Sequence, residues 1–341
     1  MITFTVPISS ASSLIHVGSN DSFAITKDGR EAATLLYSAL EDKAKDPQKA
    51  LADERQSSAI YARIIPHENY GGEYSALQWF DDYLSSPPDQ QPAFLTHPQV
   101  RFFFQKFSAN DFALLKEFLI RKYRIKELGD EETKEGHDRE VWLYDTMLFE
   151  NPRRESWEHT SKFLKLIKIG PGFKIADLGG GPGYYSFKFA KEAGPTGDVY
   201  DVDTDSHHLN WVEEEKAERG ITNVQTVQTG GVTLGLPDMT GKLDIVFMCS
   251  LYHNIYGMMT PAQRNSLVKS IREDLKDDGL LYLADNGLVK PGTLPYHGPY
   301  VAKQLIIAQM TNYGFTLVHN YQPIAQRYLL VFRKRKEHAR R

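Results

Sequence analysis

Short apolar runs separated by segments of helical periodicity fill the second half of the chain. A run that is apolar at nearly every position, such as 243–248, is typical of a strand buried on both faces of a sheet. Alternation of such runs with helices predicts a parallel sheet covered on both faces. The predicted strands lie at residues 174–178, 198–202, 224–227, 243–248 and 280–284, followed by two extended runs, 315–321 and 328–332, that are close enough to pair antiparallel.

Helical periodicity dominates the first 128 residues. Apolar residues recur three or four positions apart, and aromatic residues do so between Phe102 and Phe118. Aromatic side chains at this spacing form a core more often than they line a substrate pocket. The polar stretch 129–136, with a glycine at each end, marks a domain boundary. We therefore predict a mainly helical domain at 1–130, which shapes the substrate site, acts as a lid or makes a dimer contact, and an α/β domain at 137–341.

A glycine-rich turn follows the first predicted strand, with glycines at 179, 181 and 183. Glycine is needed where a turn takes backbone angles closed to other residues and where the main chain must approach a ligand. The dinucleotide fingerprint G-x-G-x-x-G would need a glycine at position 184, where Tyr184 stands, and no G-K-[ST] is present. NAD, FAD and P-loop nucleotide sites are therefore disfavoured.

Asp177, two residues before the turn, together with Gly179, Gly181 and Gly183 resembles the first motif of class I S-adenosylmethionine-dependent methyltransferases. The resemblance implies an α/β fold with a doubly wound, mostly parallel seven-stranded sheet and an antiparallel last strand, here preceded by the mainly helical N-terminal domain. It also implies S-adenosylmethionine as the cofactor. The glycine turn would face its methionine part, and Asp203, at the end of the second strand, would accept hydrogen bonds from its ribose hydroxyls. A glycine turn without a ligand is the alternative.

Further candidates follow the strand ends, because ligands of open parallel sheets bind outside the carboxyl ends of the strands. Thr229 stands in a stretch that lacks the acid which the family often has after the third strand. We expect Thr229 and Cys249, at the end of the fourth strand, to contact the cofactor. His253 is the best-placed base, because histidine titrates near neutral pH, and Tyr252 and Asp285 are the other catalytic candidates. A backbone hydrogen bond at the sheet edge is the alternative role for His253.

The segment before the first α/β strand is rich in aromatic residues. In many class I methyltransferases the corresponding piece folds over the cofactor, so Tyr144, Arg153 and Trp157 are candidates for a lid. Packing between the two domains is the alternative. Asn286 and His297 are further candidates for contact with the substrate.

Missing motifs narrow the acceptor. No [ND]-P-P-[YF] follows the fourth strand, which disfavours amino methylation of adenine or glutamine, and no Pro-Cys pair stands there, which disfavours attack on cytosine C5. Residues 283–287 resemble the Asp-Asn stretch of catechol-type O-methyltransferases, which hold magnesium. That family has a further aspartate where this chain has Cys249 or Ser250, and Mg²⁺ prefers carboxylate ligands. We therefore predict no metal.

Composition limits the partners and the location. A net charge of -4 gives no general attraction to nucleic acid or to an acidic membrane. The single cysteine excludes an internal disulfide framework and a cysteine-rich zinc site. The first residues lack the pattern of a secretory signal, and no apolar stretch has the length of a membrane span. We expect a cytoplasmic protein.

The leading hypothesis is a methyltransferase that transfers a methyl group to a small molecule by in-line displacement. We expect no membrane or nucleic-acid partner, and a homodimer is one expected arrangement. Transfer to protein or RNA is one alternative. A non-catalytic interaction protein that retains the cofactor fold is another.

Overall fold

A computed structural model describes residues 25–66, 72–287, 300–325 and 327–335, together with the backbone of residues 15–16. Within these ranges a helical part precedes a seven-stranded sheet with helices on both faces. No described helix combines the length and the apolar character needed to cross a membrane.

The helical part begins with helices whose starts are readable in the sequence. Thr26 accepts a hydrogen bond from the amide of Gly29, and Asp46 accepts one from the amide of Lys49, so each caps a helix. The last helix of this group is interrupted by non-helical backbone from Ala109 to Phe112. The elements are α1 (Lys27–Asp42), α2 (Pro47–Ile64), α3 (Gly72–Ser85), a 3-10 helix (Gln91–Leu95) and α4 (Pro98–Tyr123).

Three helices connect this part to the sheet: α5 (Lys134–Phe149), α6 (Arg154–Glu158) and α7 (Thr160–Leu164). Thr133 caps α5 by accepting a hydrogen bond from the amide of Gly136. The predicted boundary at 129–136 therefore includes the first turn of α5. Because α5 packs against α3 and α4, it extends the helical part.

The sheet has the strand order β4-β3-β2-β5-β6-β9-β8. Its strands are parallel except β9, which runs antiparallel to both of its neighbours. The predicted fold class is confirmed. The strands are β2 (Lys174–Leu178), β3 (Asp198–Asp203), β4 (Val224–Gln228), β5 (Leu243–Cys249), β6 (Leu275–Asn286), β8 (Phe315–Ile324) and β9 (Arg327–Lys334), and the two-residue strands β1 (Ile15–His16) and β7 (Tyr300–Val301) pair separately.

Two apolar cores cover the faces of the sheet. The helices of this half are α8 (Ser186–Ala193), α9 (Ser206–Arg219), α10 (Tyr252–Met258), α11 (Pro261–Asp274) and α12 (Lys303–Asn312). Because the central strands are buried on both faces, their polar side chains concentrate at the strand ends, and the carboxyl ends meet at one edge. The antiparallel direction of β9 brings its first residue, Arg327, beside Asn286 at that same edge.

The helical part packs against α9. The ring of Trp211 lies 5.1 Å from Phe102 and 6.2 Å from Phe107 of α4, measured between centroids. The ring of Trp142 on α5 lies 5.8 Å from His207 at the start of α9. The helical part thus lies beside the carboxyl end of β3, which α9 follows.

Candidate active site

The glycine turn has the backbone geometry that its sequence predicts. Gly179, Gly181 and Gly183 have φ angles of +71°, +59° and +91°, in the region that side chains rarely adopt. A Cβ at Gly179 would lie 2.8 Å from the side chain of Leu251, whereas a Cβ at Gly181 would meet no atom of the described residues within 4 Å. The main chain at Gly181 is therefore open on that side to a ligand.

Asp203 lies at the end of β3 beside this opening. Its carboxylate accepts hydrogen bonds from the amide of Gly181 at 2.9 Å and from the amide of Asp205 at 2.9 Å. Burial would raise the pKa of Asp203, but His208 and these amides lower it below its usual value. The carboxylate is thus ionised at neutral pH and can accept hydrogen bonds from hydroxyl donors.

Asp177 supports the turn from beneath. It is buried at the strand end and accepts a hydrogen bond from the hydroxyl of Ser186, the first residue of α8, at 2.8 Å. Burial raises the pKa of Asp177 to about 7. Its neighbour across the sheet is Asp201, whose fully buried carboxyl lies under Gly180, and neither carboxyl oxygen of Asp201 has a hydrogen-bond partner among the described residues. Two such carboxyls cannot both ionise easily, so the pair favours retention of a proton.

Thr229 organises the loop after β4. Its amide donates to the carbonyl of Asp203 at 3.0 Å, and its hydroxyl donates to the carbonyl of Thr233 at 2.7 Å. The structure therefore places the Thr229 hydroxyl within its own loop and the Thr229 backbone beside the Asp203 strand end.

Cys249 ends β5 next to a basic side chain. Its sulfur lies 3.4 Å from Nη1 of Arg327, and burial raises the pKa of the thiol to about 11. A thiol with that pKa is a poor nucleophile at neutral pH. The following residue, Ser250, has a φ of +55°, an uncommon backbone conformation for a residue with a side chain. This bend turns the chain so that Leu251 covers Gly179.

His253 and Asp285 form a hydrogen-bonded pair at the ends of β5 and β6. Nδ1 of His253 lies 2.8 Å from Oδ1 of Asp285, and the His253 amide donates to Oδ2 at 2.9 Å. The amide of Asn286 also donates to Oδ1, at 2.7 Å, so the buried carboxylate is held by several donors. With Nδ1 protonated toward Asp285, Nε2 carries a lone pair and can accept a proton. No described residue forms a hydrogen bond with Nε2.

Tyr252 points away from this pair. Its hydroxyl donates to Oε1 of Gln309 on α12 at 2.6 Å, and its ring lies in the apolar core on that face of the sheet. Asn286 stays at the site, where its side-chain oxygen accepts a hydrogen bond from Arg327 at 3.3 Å.

A buried ion network covers the ends of β5 and β6. Arg154, Glu158 and Arg327 are only 4%, 1% and 5% exposed, and the carboxylate of Glu158 accepts hydrogen bonds from both guanidinium groups. The guanidinium of Arg154 also lies 3.9 Å from the ring centroid of Tyr184. Although burial would raise the pKa of Glu158, the two arginines hold it at about 2. The network fixes α6 over the strand ends.

Sequence reasoning missed this network. The spacing of Arg154 and Glu158 on one helix face was a readable signal for an ion pair. Arg327 gave none, because its position depends on how β9 pairs with β6.

The three lid candidates lie between the helical part and the α/β part. Arg153 donates to the side chain of Gln78 on α3 at 2.6 Å, and Trp157 is buried beside the start of α3. Tyr144 packs against the core of the helical part, with the ammonium of Lys122 4.2 Å from its ring centroid. The structure thus joins these residues to the helical part.

Two further predictions, contact of His297 with the substrate and the lack of a metal, stay predictions. His297 lies outside the described residues. In the part of the chain that the structure describes, no group of three or more His, Cys, Asp and Glu side chains could hold a metal ion.

Residues 175–279 match the model of a family described as "Methyltransferase domain". A ubiquinone/menaquinone biosynthesis C-methyltransferase (UbiE) of Ectopseudomonas mendocina is 28% identical over 130 residues, which are 38% of this chain and 47% of the relative. The protein of the same name from Shewanella pealeana is 29% identical over 116 residues, 34% of this chain and 43% of the relative. The chain thus spans about half the length of these curated relatives.

A solved structure is also similar. The crystal structure of a SAM dependent methyltransferase from Aquifex aeolicus aligns with 56% of this chain and 97% of that chain, at 18% identity and a TM-score of 0.48.

Proposed function

We propose that this protein methylates a small-molecule acceptor, because residues 175–279 match a family described as "Methyltransferase domain". In addition, Asp177 with the three glycines of the turn resembles the first motif of class I S-adenosylmethionine-dependent methyltransferases. The predicted cofactor, S-adenosylmethionine, follows from the same family. The observation that carries the proposal is the open glycine turn beside an ionised Asp203, next to the His253–Asp285 pair.

The residues at the turn fit the cofactor. Asp203 accepts hydrogen bonds from the ribose hydroxyls, because its carboxylate is ionised and lies beside the opening at Gly181. Two positions that the sequence also assigned to the cofactor contribute through the fold: Asp177 steadies the turn from below, and Thr229 steadies the neighbouring loop. Cys249 lies farther along the edge, toward the reaction site.

When bound, S-adenosylmethionine supplies a methyl group on a positively charged sulfur, which a nucleophile takes in an in-line displacement. The chain's own contribution to the chemistry is alignment and proton removal. His253 takes a proton from the acceptor at Nε2, and Asp285 holds the ring and stabilises its protonated form. Tyr252 positions α10 through its bond to α12.

The acceptor is proposed to be small because buried side chains close the site. The Arg154–Glu158–Arg327 network fixes α6 over the strand ends, and Asn286 is held by Arg327 in the same layer. The C-methyltransferase name of the relatives favours an acceptor whose carbon becomes nucleophilic when a nearby proton is removed. The segment with Tyr144, Arg153 and Trp157 completes the enclosure on the side of the helical part.

Two measurements test the proposal. Calorimetry should show that the wild-type protein binds S-adenosylhomocysteine. D203N should bind it at least about tenfold more weakly, because an ionised hydrogen-bond acceptor is lost. The rate of methyl transfer to a panel of small phenols and quinols can be measured from the release of S-adenosylhomocysteine. H253Q should be about a hundredfold slower than the wild type, with unchanged affinity for the cofactor.

Replacement of the exposed His319 by glutamine is the matched control and should leave turnover unchanged. A wild-type protein that binds neither S-adenosylmethionine nor S-adenosylhomocysteine would contradict the proposal. Transfer to RNA or protein in place of the small acceptors would assign the alternative methyltransferase class. The homodimer, the lack of a nucleic-acid partner and the cytoplasmic location stay predictions.

A further inference from the structure

His208 is a buried histidine at the start of α9 whose polar atoms lack partners. It is 6% exposed, and neither ring nitrogen has a hydrogen-bond partner in the described part of the chain. Its Nδ1 lies 3.9 Å from Oδ1 of Asp203, which is too long for a hydrogen bond. A buried polar side chain without a partner costs free energy, so its presence beside Asp203 calls for a physical reason.

Asp145 on α5 is the second acidic side chain at this position. It is half-buried and forms no hydrogen bond or ion pair with another described residue. The ring of Trp142, one turn before Asp145 on α5, lies 5.8 Å from the ring of His207, so this face of α5 packs on the start of α9. The carboxyl of Asp145 interacts electrostatically there with His208, Asp203 and Asp205. Burial raises the pKa of Asp145 to about 6, which leaves the carboxylate mostly ionised at neutral pH.

His208 therefore interacts electrostatically with carboxyl groups from different elements, Asp203 at 3.9 Å, Asp145 on α5 and Asp205. Burial opposes protonation of the ring, but the carboxylate of Asp203 raises the pKa of His208 above its usual value, with Asp145 acting in the same direction. A protonated ring here offsets the repulsion between the carboxylates. Asp145 and Asp203, whose carboxylate borders the opening at Gly181, can then both remain ionised.

The first residues of the loop after β4 offer no carboxylate. Residues 228–231 are Gln, Thr, Gly and Gly, and the hydroxyl of Thr229 is already bound to the carbonyl of Thr233. At Asp203, each carboxylate oxygen already accepts one backbone amide. A second carboxylate would increase the capacity of this region to accept hydrogen bonds from the two ribose hydroxyls.

We propose that Asp145 is a second carboxylate for the ribose of the cofactor, presented by a helix that precedes the methyltransferase domain, and that His208 holds Asp145 and Asp203 in place. This inference rests on the proposed function. It gives the helical part a direct role in cofactor binding, because α5 packs against α3 and α4. His208 is in this arrangement a positioning residue, and Asp145 touches the ligand.

Calorimetry with S-adenosylhomocysteine and its 2′-deoxy and 3′-deoxy analogues tests the inference on the full chain. D145N should bind S-adenosylhomocysteine about tenfold more weakly than the wild type, because a hydrogen bond to a charged acceptor is lost. The effect should disappear with one of the two deoxy analogues, whose missing hydroxyl identifies the donor. D138N, on an exposed turn of the same helix, should bind like the wild type.

H208Q provides a second readout. It should weaken binding of S-adenosylhomocysteine and change the difference in affinity between pH 6 and pH 8, leaving only the part that Asp145, with its pKa of about 6, contributes. Equal melting temperatures of D145N and the wild type show that the fold is retained. If that variant does not fold, H208Q with the three ligands still decides the question, since it should lose most of the preference for the same hydroxyl.

Three outcomes would overturn the inference. If the wild type binds S-adenosylhomocysteine and D145N binds it equally well, the inference fails while the proposed function stands. An equal loss with all three ligands removes the assignment to the ribose. If the wild type binds none of the ligands, the proposed function fails together with the inference.

Discussion

At the scale of single residues, the conformational and the ligand-binding roles of glycine can be separated. Gly181 and Gly220 have φ angles of +59° and +63°, and in the described part of the chain a Cβ at either position meets no atom within 4 Å. Alanine at either position should cost about 1 kcal/mol of folding free energy, because a Cβ is strained at these angles. Only Gly181 lies at the proposed cofactor site, so G181A alone should weaken S-adenosylhomocysteine binding, by about tenfold. Thermal unfolding and calorimetry measure the two effects.

If G181A and G220A bound S-adenosylhomocysteine equally well, the placement of the cofactor at the glycine turn would be contradicted. The two variants are matched because the second glycine ends α9, where the described residues leave open space without a proposed ligand.

The Asp177–Asp201 pair makes a prediction about pH. Burial raises the pKa of Asp177 from 3.8 to about 7, so between these values the folded protein binds more protons than the unfolded chain. The free energy of unfolding contributed by this group therefore falls as pH rises from 4 to 7. D201N should flatten that slope and raise stability at pH 8 by on the order of 1 kcal/mol, because an amide can donate to Asp177. Urea unfolding from pH 4 to pH 8 measures both the slope and the difference in stability.

D198N is the control for this experiment, since Asp198 lies on the same strand but forms an exposed ion pair with Lys174. It should keep the wild-type slope. A D201N protein with that same slope would mean that the two carboxyls do not share a proton.

Neighbouring residues also show what the sequence could and could not predict. The strand-end rule selected Tyr252 and His253 together, because both follow β5. The structure turns one toward Gln309 in the core and the other toward Asp285. Which side of the seven-residue helix α10 faces the site depends on the bend at Ser250, and no glycine in the sequence marks that bend.

At the scale of elements, the buried ion pairs of Glu158 with Arg154 and Arg327 hold α6 in position. E158Q leaves two buried guanidinium groups without a carboxylate, so the free energy of unfolding at pH 7 should fall by about 3–5 kcal/mol. The pKa of Glu158 is lowered from 4.5 to about 2, so its stabilising effect is complete above pH 4.5 and is lost as pH falls toward 2. The difference between wild type and variant should shrink over that range in urea unfolding experiments.

E155Q is the matched variant on the same helix. Glu155 is exposed and accepts hydrogen bonds from the amide and hydroxyl of Ser161, so its replacement should cost about 1 kcal/mol. A loss in E158Q no larger than in E155Q would show that α6 is held by other contacts.

Most elements of the α/β half could be predicted because local patterns determine them. The helix Ser206–Arg219 has an acidic cap at one end and a glycine at the other, and the strand Lys174–Leu178 is bounded by a turn. The order of the strands and the partner of Arg327 could not be predicted in this way. They depend on pairings between distant segments, which no local pattern records.

At the scale of the whole molecule, the two halves share a core. Trp211 of α9 is 2% exposed and packs on Phe102 and Phe107 of α4. W211A should lower the free energy of unfolding by about 3–5 kcal/mol. Because the ring joins both halves, amide protons in both halves of W211A should exchange faster than in the wild type. Unfolding should remain a single transition, at a lower temperature.

K106A is the control at the same seam. Lys106 forms a solvent-exposed ion pair with Glu214, and such pairs contribute less than about 1 kcal/mol. If W211A destabilised only one half and left hydrogen exchange in the other unchanged, the halves would be independent folding units.

Composition predicted where a boundary lies, but it could not predict whether the residues there form a solvated linker or a turn between packed helices. The charged stretch 129–136 reads as a linker, yet Arg121 pairs with Asp130 and α5 begins at Lys134. Charged residues do not distinguish a solvated linker from a surface turn between packed helices. The division at residues 130 and 137 thus stays a prediction.

The position of Arg327 has a consequence for the order in which a growing chain matures. A ribosome releases the glycine turn, Asp203 and His253 well before it releases β9. Until β9 pairs with β6, Arg154 is the one guanidinium among the described residues that holds Glu158, so α6 is held over the strand ends by one arginine instead of two. In a nascent chain the proposed nucleoside site can thus assemble before β9 emerges, while the proposed acceptor site closes only after β9 has paired with β6.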